Sequence, residues 1–161
     1  DLQVVSTDHC PFCMEDHPTL GTQKQLGVGD FTKIPNGLPG VEDRFQLMYH
    51  GGVAQGRFSV NRWIEVCCTA PAKLFGLYPK KGTIAVGSDA DIVIFDPDAR
   101  WTKSVDQHHM DVDYSCYEGM EVQGRVETVM LRGDVIIDGD EYLGTKGDGL
   151  YLPRAASGLR P

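Results

Sequence analysis

From residue 41 onward the hydrophobic period of this chain changes once, at Gly82, and that change limits the folds open to it. Before Gly82, Phe45, Met48, Tyr49 and Val53 recur at helical spacing, as do Val60, Trp63, Ile64 and Cys67; such spacing gives each helix one apolar face. After it, short apolar runs separated by glycine turns read as strands. Residues 83–86 alternate, 91–95 form an apolar run, and 126–131 and 135–137 flank Arg132-Gly133-Asp134. Gly133-Asp134 between two apolar runs signals a two-residue hairpin turn. Four or five such strands make a small sheet that needs a covering layer. Either the helices cover one face, joining both regions in a single domain, or the cover lies upstream or in another subunit.

Punctuation inside the helical region is clear. Ser59 is placed to cap the second helix, and Gly51-Gly52 weakens the end of the first. A third short helix carries Pro71 in its first turn, turns Leu74 and Phe75 inward and ends near Gly76. Residues 100–125 are polar with isolated aromatics (Trp101, Tyr114, Tyr117), which reads as irregular chain with at most one strand. From Leu150 the chain reads as an extended tail.

Residues 1–40 hold one β-branched stretch, 2–6, and then a long loop broken by Pro11, Pro18, Gly21, Gly27, Gly29, Pro35, Gly37, Pro39 and Gly40. Loops of that length are usually functional or disordered. Phe12, Leu20, Phe31, Ile34 and Leu38 supply anchors, so an ordered active-site loop is expected. The strand runs into Asp8, and the C-terminal ends of strands are where parallel α/β barrels display catalytic side chains. By itself such an aspartate is more often a turn cap.

The acidic balance, net charge −8 and pI near 5.0, leaves no basic footprint for nucleic acid or an anionic membrane surface. The longest apolar runs, such as 92–95, are far too short to span a bilayer, and the first residues do not resemble a signal peptide. Five cysteines, odd in number and with Cys67 and Cys68 adjacent, fit reduced thiols in a cytoplasmic protein better than a disulfide framework. Cys10-Pro11-Phe12-Cys13 has no second Cys-x-x-C to complete a structural zinc site, and its prolines place it in a loop rather than at a helix start. A first residue other than Met fits a processed or truncated chain.

The run Thr7-Asp8-His9-Cys10-Pro11-Phe12 resembles the segment after the eighth barrel strand in dihydropyrimidinases and hydantoinases, of the metal-dependent amidohydrolase superfamily. The resemblance continues through Gly29-Asp30-Phe31-Thr32-Lys33-Ile34-Pro35-Asn36-Gly37 and Gly40-Val41-Glu42-Asp43-Arg44. It extends through Pro71 to Gly82, Gly87-Ser88-Asp89-Ala90-Asp91-Ile92-Val93, Tyr117-Glu118-Gly119-Met120 and the tail from Gly147 to Arg154. Together these segments cover nearly the whole chain in order.

That resemblance implies an α/β fold: the end of a (β/α)₈ TIM barrel, with its eighth strand and following helices in 1–80, β-sandwich strands in 81–145 and a C-terminal tail in 146–161. A barrel alone takes about 250 residues, so a C-terminal piece of a longer protein is expected. The family holds two divalent metal ions, usually Zn²⁺, with four histidines, a carboxylated lysine and one aspartate. Asp8 matches the aspartate, as both metal ligand and catalytic proton carrier; the carboxylated lysine lies outside this chain. Asn36 matches the position whose main chain holds the cyclic imide of the substrate. Implied too are a small cyclic ureide or imide substrate, an N-carbamoyl amino acid product, and a homotetramer in which the tail reaches a neighbour. The family's histidine ligands come from earlier strands, so His9, His17, His50, His108 and His109 are not expected to be ligands. His108-His109 reads as a solvated surface pair, Asp89 and Asp91 as turn residues, and Asp30, Glu42, Asp43 and Arg44 as a salt-bridge network under the loop. Two alternatives stay open: a non-catalytic scaffold of the collapsin response mediator type, which lacks the metal-binding aspartate, and a sister enzyme such as allantoinase or dihydroorotase. The expectation for the 161 residues by themselves is inactivity.

Overall fold

The structure is a computed structural model that describes residues 2–158. The last three residues of the expected tail lie outside the described residues. The chain divides into two compact units, one drawn from 1–5, 45–99 and 123–161 and the other from 6–44 and 100–122.

The first unit joins helices and a sheet. Helix α1 (Arg44–Met48) passes directly into a π-helical turn (Tyr49–Val53). The Gly51-Gly52 pair, expected to weaken the helix end, lies inside that turn. Gly52 is there because a Cβ would stand 1.8 Å from Cζ of Phe58. Helix α2 (Val60–Ile64) begins at Ser59, whose hydroxyl accepts the amide of Arg62, the capping expected from the sequence. It runs through a π-helical turn (Glu65–Thr69) into α3 (Ala70–Leu74). Pro71 stands in the first turn of α3, as expected, and that helix continues directly from the π turn. Proline offers no N–H and crowds the carbonyl four residues back; a π turn, with its wider i→i+5 spacing, shifts the backbone out of that register. The amide of Ala70 accordingly donates to the carbonyl of Glu65.

Four strands form one sheet in the order β1 (Ile92–Thr102), β2 (Glu121–Leu131), β3 (Asp134–Asp138) and β4 (Glu141–Tyr142). β2 and β3 are antiparallel, with Leu131 opposite Asp134 and a register shift between Val129 and Met130. The hairpin turn is Arg132-Gly133, one residue earlier than Gly133-Asp134. Both turn residues have positive φ, +52° and +93°, as a two-residue turn matched to strand twist requires. Asp134 is freed to pair. β1 and β2 extend well into the stretch expected to be irregular, because a paired strand tolerates polar residues on its open face.

Two expected strands are absent among the described residues. Residues 83–86 alternate in sequence, yet Ile84 and Val86 are both exposed and carry no ladder. Residues 2–6 are extended without a neighbouring strand; the amide of Val5 donates to the carbonyl of Val66 (3.3 Å), in the helical segment. Alternation marks a chain suited to a sheet, but a strand exists only where another strand supplies its hydrogen bonds.

The core settles where the sheet finds its cover. Tyr49, Trp63, Val66 and Cys67 are buried, with Phe45, Phe58 and Phe95 packed against them. Phe95 of β1 stands 4.7 Å from the ring of Tyr49 and 5.0 Å from that of Trp63, both steeply inclined. The indole N–H of Trp63 donates to the carbonyl of Phe45 (3.0 Å). Helices and sheet thus share one core. Each inclined aromatic pair adds about 0.5–1.5 kcal/mol beyond its area burial. Gly124 of β2 (φ +92°) permits the approach: a Cβ there would stand 2.4 Å from Tyr49 Cδ1 and 2.6 Å from Phe95 Cζ. A cleft of about 740 Å³, lined in part by Ile64, Phe75, Ile84, Val93 and Val129, remains open in this unit.

Two polar devices brace this unit. Lys81 lies 2.9 Å from Asp89 Oδ2 and also pairs with Asp91, whose other oxygen accepts the amide of Arg132 (3.0 Å). Asp89 and Asp91 are more than turn residues: they tie the entrance of β1 to the β2–β3 turn. The hydrogen bond from Lys81 holds the Asp89 carboxyl below its ordinary range. The tail, expected to reach a neighbouring subunit, bonds to its own chain in its described part, through Ala155 N to Gly76 O (2.9 Å) and Gly158 N to Lys73 O (2.8 Å).

The second unit contains the long loop. Short 3₁₀ turns (Lys24–Gly27, Phe31–Lys33, Val105–Gln107) and an isolated bridge between His17 and Gly21 give it local order. Cys13 and Val122 are buried. Asp43 and Lys103 are buried as an ion pair, Nζ to Oδ1 2.5 Å, with the ammonium 4.8 Å from the ring centre of Trp101.

Candidate functional site

Asp8 occupies a backbone conformation that side chains seldom adopt, φ +47°. Aspartate is among the residues that tolerate the left-handed region, and its carboxylate is exposed. The next two residues bind the far end of the loop. His9 Nδ1 accepts the amides of Gly40 (3.2 Å) and Val41 (3.4 Å), and the amide of Cys10 donates to Leu38 O (3.2 Å). Gly37 (φ +135°) lies so close that a Cβ would stand 2.3 Å from Cys10 O and 2.7 Å from Cys10 Cβ. The segments that carry Asp8 and Asn36 therefore run side by side, and Asn36 is exposed between Pro35 and Gly37.

A residue passed over in the sequence holds that turn. Lys24 Nζ donates to Pro35 O (3.3 Å) and Gly37 O (3.0 Å), the carbonyls on either side of Asn36. The base of Lys24 is itself fixed: its amide donates to Cys13 O (3.1 Å), and the neighbouring Gln23 Oε1 accepts the amide of Cys13 (2.5 Å). The ammonium also stands 5.8 Å from the ring centre of Phe12. A lysine eleven residues ahead of a turn carries no local signal, so only the folded loop reveals it.

The supporting charges take separate partners. Asp30 caps its own 3₁₀ turn through the amide and hydroxyl of Thr32 and pairs with Lys33 (3.2 Å); these bonds, the Thr32 hydroxyl foremost, lower its carboxyl. Glu42 accepts the backbone amide of His109 (2.8 Å), while Asp43 takes the buried Lys103. The three carboxylates thus anchor three different parts of this unit. Of the pair His108-His109, expected to be solvated, His109 is exposed, with Nδ1 3.3 Å from Glu42, whereas both ring nitrogens of His108 are buried with no hydrogen-bond partner among the described residues.

Around Cys13 the geometry is that of a braced loop. Asp113 accepts the amides of Met14 (2.8 Å) and Glu15 (2.7 Å). Its burial opposes ionisation, but those amides hold its carboxyl below the ordinary range. Burial, and then the Asp113 charge, push the Cys13 thiol up. His17 Nδ1 accepts the amides of Thr19 and Leu20, and its other nitrogen faces Asp111 (3.3 Å). The Nδ1 lone pairs of His9 and His17 point at backbone amides. Cys10 is exposed and Cys13 buried, both as free thiols.

As a donor set for two metal ions the described residues do not suffice. Among them no group of three or more His, Cys, Asp or Glu side chains stands together in a way that could hold a metal. Asp8 contributes one carboxylate, and one carboxylate cannot hold a bridged metal pair. Among the described residues no helix is long and apolar enough to cross a membrane.

The sequence model of the Amidohydrolase family matches residues 3–136. The D-hydantoinase of Streptomyces coelicolor is 57% identical over 155 residues, which is 96% of this chain and 32% of that protein. The dihydropyrimidinase of Rattus norvegicus is 45% identical over 154 residues, 96% of this chain and 28% of that protein. Among solved structures, D-hydantoinase from Bacillus sp. AR9 superposes with a TM-score of 0.89 at 52% identity, covering 96% of this chain and 32% of the other. The chain thus spans about a third of the length of the relatives it matches.

Proposed function

This chain belongs to the amidohydrolase family, and from that premise we propose that the protein carrying it hydrolyses the cyclic amide bond of dihydropyrimidines or hydantoins, giving N-carbamoyl amino acids. The observation that carries the reading is the pairing of an exposed carboxylate, Asp8, with a pinned, exposed turn at Asn36. The names of the relatives, D-hydantoinase and dihydropyrimidinase, point to the same chemistry.

In this proposal each residue has a limited task. The Asn36 main chain receives the imide of the ring, its N–H donating to a substrate carbonyl. Asp8 takes a proton from the attacking water and passes it to the departing ring nitrogen. Two divalent metal ions, most simply Zn²⁺, belong to the proposal, with every donor except Asp8 supplied from outside these residues. So do the remaining assignments: residues 1–80 as the end of a TIM barrel, 81–145 as sandwich strands, 146–161 as a tail, a homotetramer and a cytoplasmic setting.

The test is Asp8→Ala in the full-length protein. Hydrolysis of dihydrouracil and hydantoin is expected to fall to background, with less metal bound per subunit by elemental analysis. Near-normal turnover would remove Asp8 from the mechanism.

A further inference from the structure

We propose that Lys24 is a positioning residue for substrate binding, fixing the direction in which the Asn36 N–H is presented. The inference rests on the reading of Asn36 as the turn that holds the cyclic imide. It goes further in assigning a task to a side chain that touches no substrate.

The argument begins with peptide geometry. The carbonyl of Pro35 and the N–H of Asn36 belong to one planar peptide unit and, in the trans form, point in opposite directions. Lys24 Nζ donates to that carbonyl at 3.3 Å. Holding Pro35 O therefore aims Asn36 N–H away from Lys24. The same ammonium donates to Gly37 O at 3.0 Å, so the Pro35–Asn36 and Gly37–Leu38 peptide units, which bracket the Asn36–Gly37 unit, are both held by one charge. Without it, each is free to rotate about its flanking bonds, and Gly37 is the residue with most freedom to do so.

Direction is half of the effect; polarisation is the other. A carbonyl that accepts from an ammonium draws electron density from its own N–H, and hydrogen bonds in a chain strengthen one another. The Asn36 N–H becomes a better donor to a substrate carbonyl. Charge-assisted bonds of this kind are roughly twice as strong as neutral ones. The clamp is itself pre-positioned. Lys24 is partly buried, its amide is bonded to Cys13 O, and its ammonium lies over the Phe12 ring. Gly37 is also held against Cys10, where no Cβ fits. The turn is contacted by both Lys24 and Cys10, and substrate binding then costs little ordering.

The experiment compares Lys24→Met and Lys24→Arg with the wild type in the full-length protein. Steady-state kinetics on dihydrouracil and hydantoin are read together with bound metal, melting temperature and hydrogen exchange of the peptide spanning 34–39. Lys24→Met is expected to raise KM about tenfold or more and change kcat less than threefold, with metal content intact. Exchange in 34–39 should speed up at least fivefold, and Lys24→Arg, which keeps the charge, should recover most of both effects. An unchanged KM would overturn the proposal, as would a loss of kcat in step with bound metal and melting temperature. If the wild-type protein hydrolyses neither ring, the substrate reading fails separately. The exchange data then decide the clamp alone: unchanged exchange in Lys24→Met would refute it.

Discussion

Replacing Gly124 by alanine tests the aromatic core that joins the helices to the sheet, and Gly133 supplies the control. The two glycines share nearly the same backbone angle, φ +92° and +93°. They differ in surroundings: a Cβ on Gly124 would stand 2.4 Å from Tyr49 and 2.6 Å from Phe95, whereas Gly133 has nothing within 4 Å. Placing an L-residue in the left-handed region costs about 1–2 kcal/mol at either position. Overpacking adds about 1–3 kcal/mol, and only at Gly124. The common backbone cost cancels when the variants are compared. At about 1.4 kcal/mol per tenfold, the excess corresponds to a loss of protection about 5- to 150-fold greater for Gly124→Ala. Hydrogen exchange of the β2 peptide, residues 121–131, reads this locally in the full-length protein. Combining Gly124→Ala with Phe95→Leu should recover part of the loss, because contacting residues are not additive. Equal protection losses in the two alanine variants would refute the proximity of Gly124 to the rings.

Breaking the buried pair of Asp43 and Lys103 by Lys103→Met leaves an unpaired buried carboxylate, and unfolding measurements should show a loss of about 3–5 kcal/mol. The double variant Asp43→Asn/Lys103→Met should cost clearly less than the sum of its singles; strict additivity would count against the pair. Iodoacetamide labelling followed by mass spectrometry should modify exposed Cys10 well before Cys13, whose thiol is raised by burial and by Asp113. Because its thiolate forms only at higher pH, Cys13 labelling should keep rising above the ordinary thiol range. Equal rates for both cysteines at pH 8 would contradict this.

Much of the local structure and the family were legible without coordinates. Ser59 as a cap, the helical spacing that buries Tyr49, Trp63 and Cys67 and the two runs that form the β2–β3 hairpin depend on residues within a few positions of one another, whereas Val60, Ile64, Leu74 and Phe75, expected on the apolar faces, are exposed. The ordered motifs from Thr7 to Arg154 carried the family resemblance, and the family match over residues 3–136 agrees with it. The strands expected at 2–6 and 83–86 failed for one shared reason. Alternation states which way side chains would face in a sheet, but it cannot supply a neighbour. The hairpin turn was misplaced by one residue because Arg132 takes a positive φ that its side chain does not advertise.

What the sequence determined by itself was the inventory: an aspartate followed by a proline loop, a Pro35-Asn36-Gly37 turn, amphipathic helices and a set of short strands. Tertiary structure alone decided the partnerships. It set Phe95 against Trp63, closed Asp43 on Lys103 and put the Lys24 ammonium on the carbonyls flanking Asn36. Such contacts join residues from eleven to sixty positions apart, where no periodicity reaches. They form because burying an aromatic face or pairing a desolvated charge is favourable only once the whole chain has closed around it.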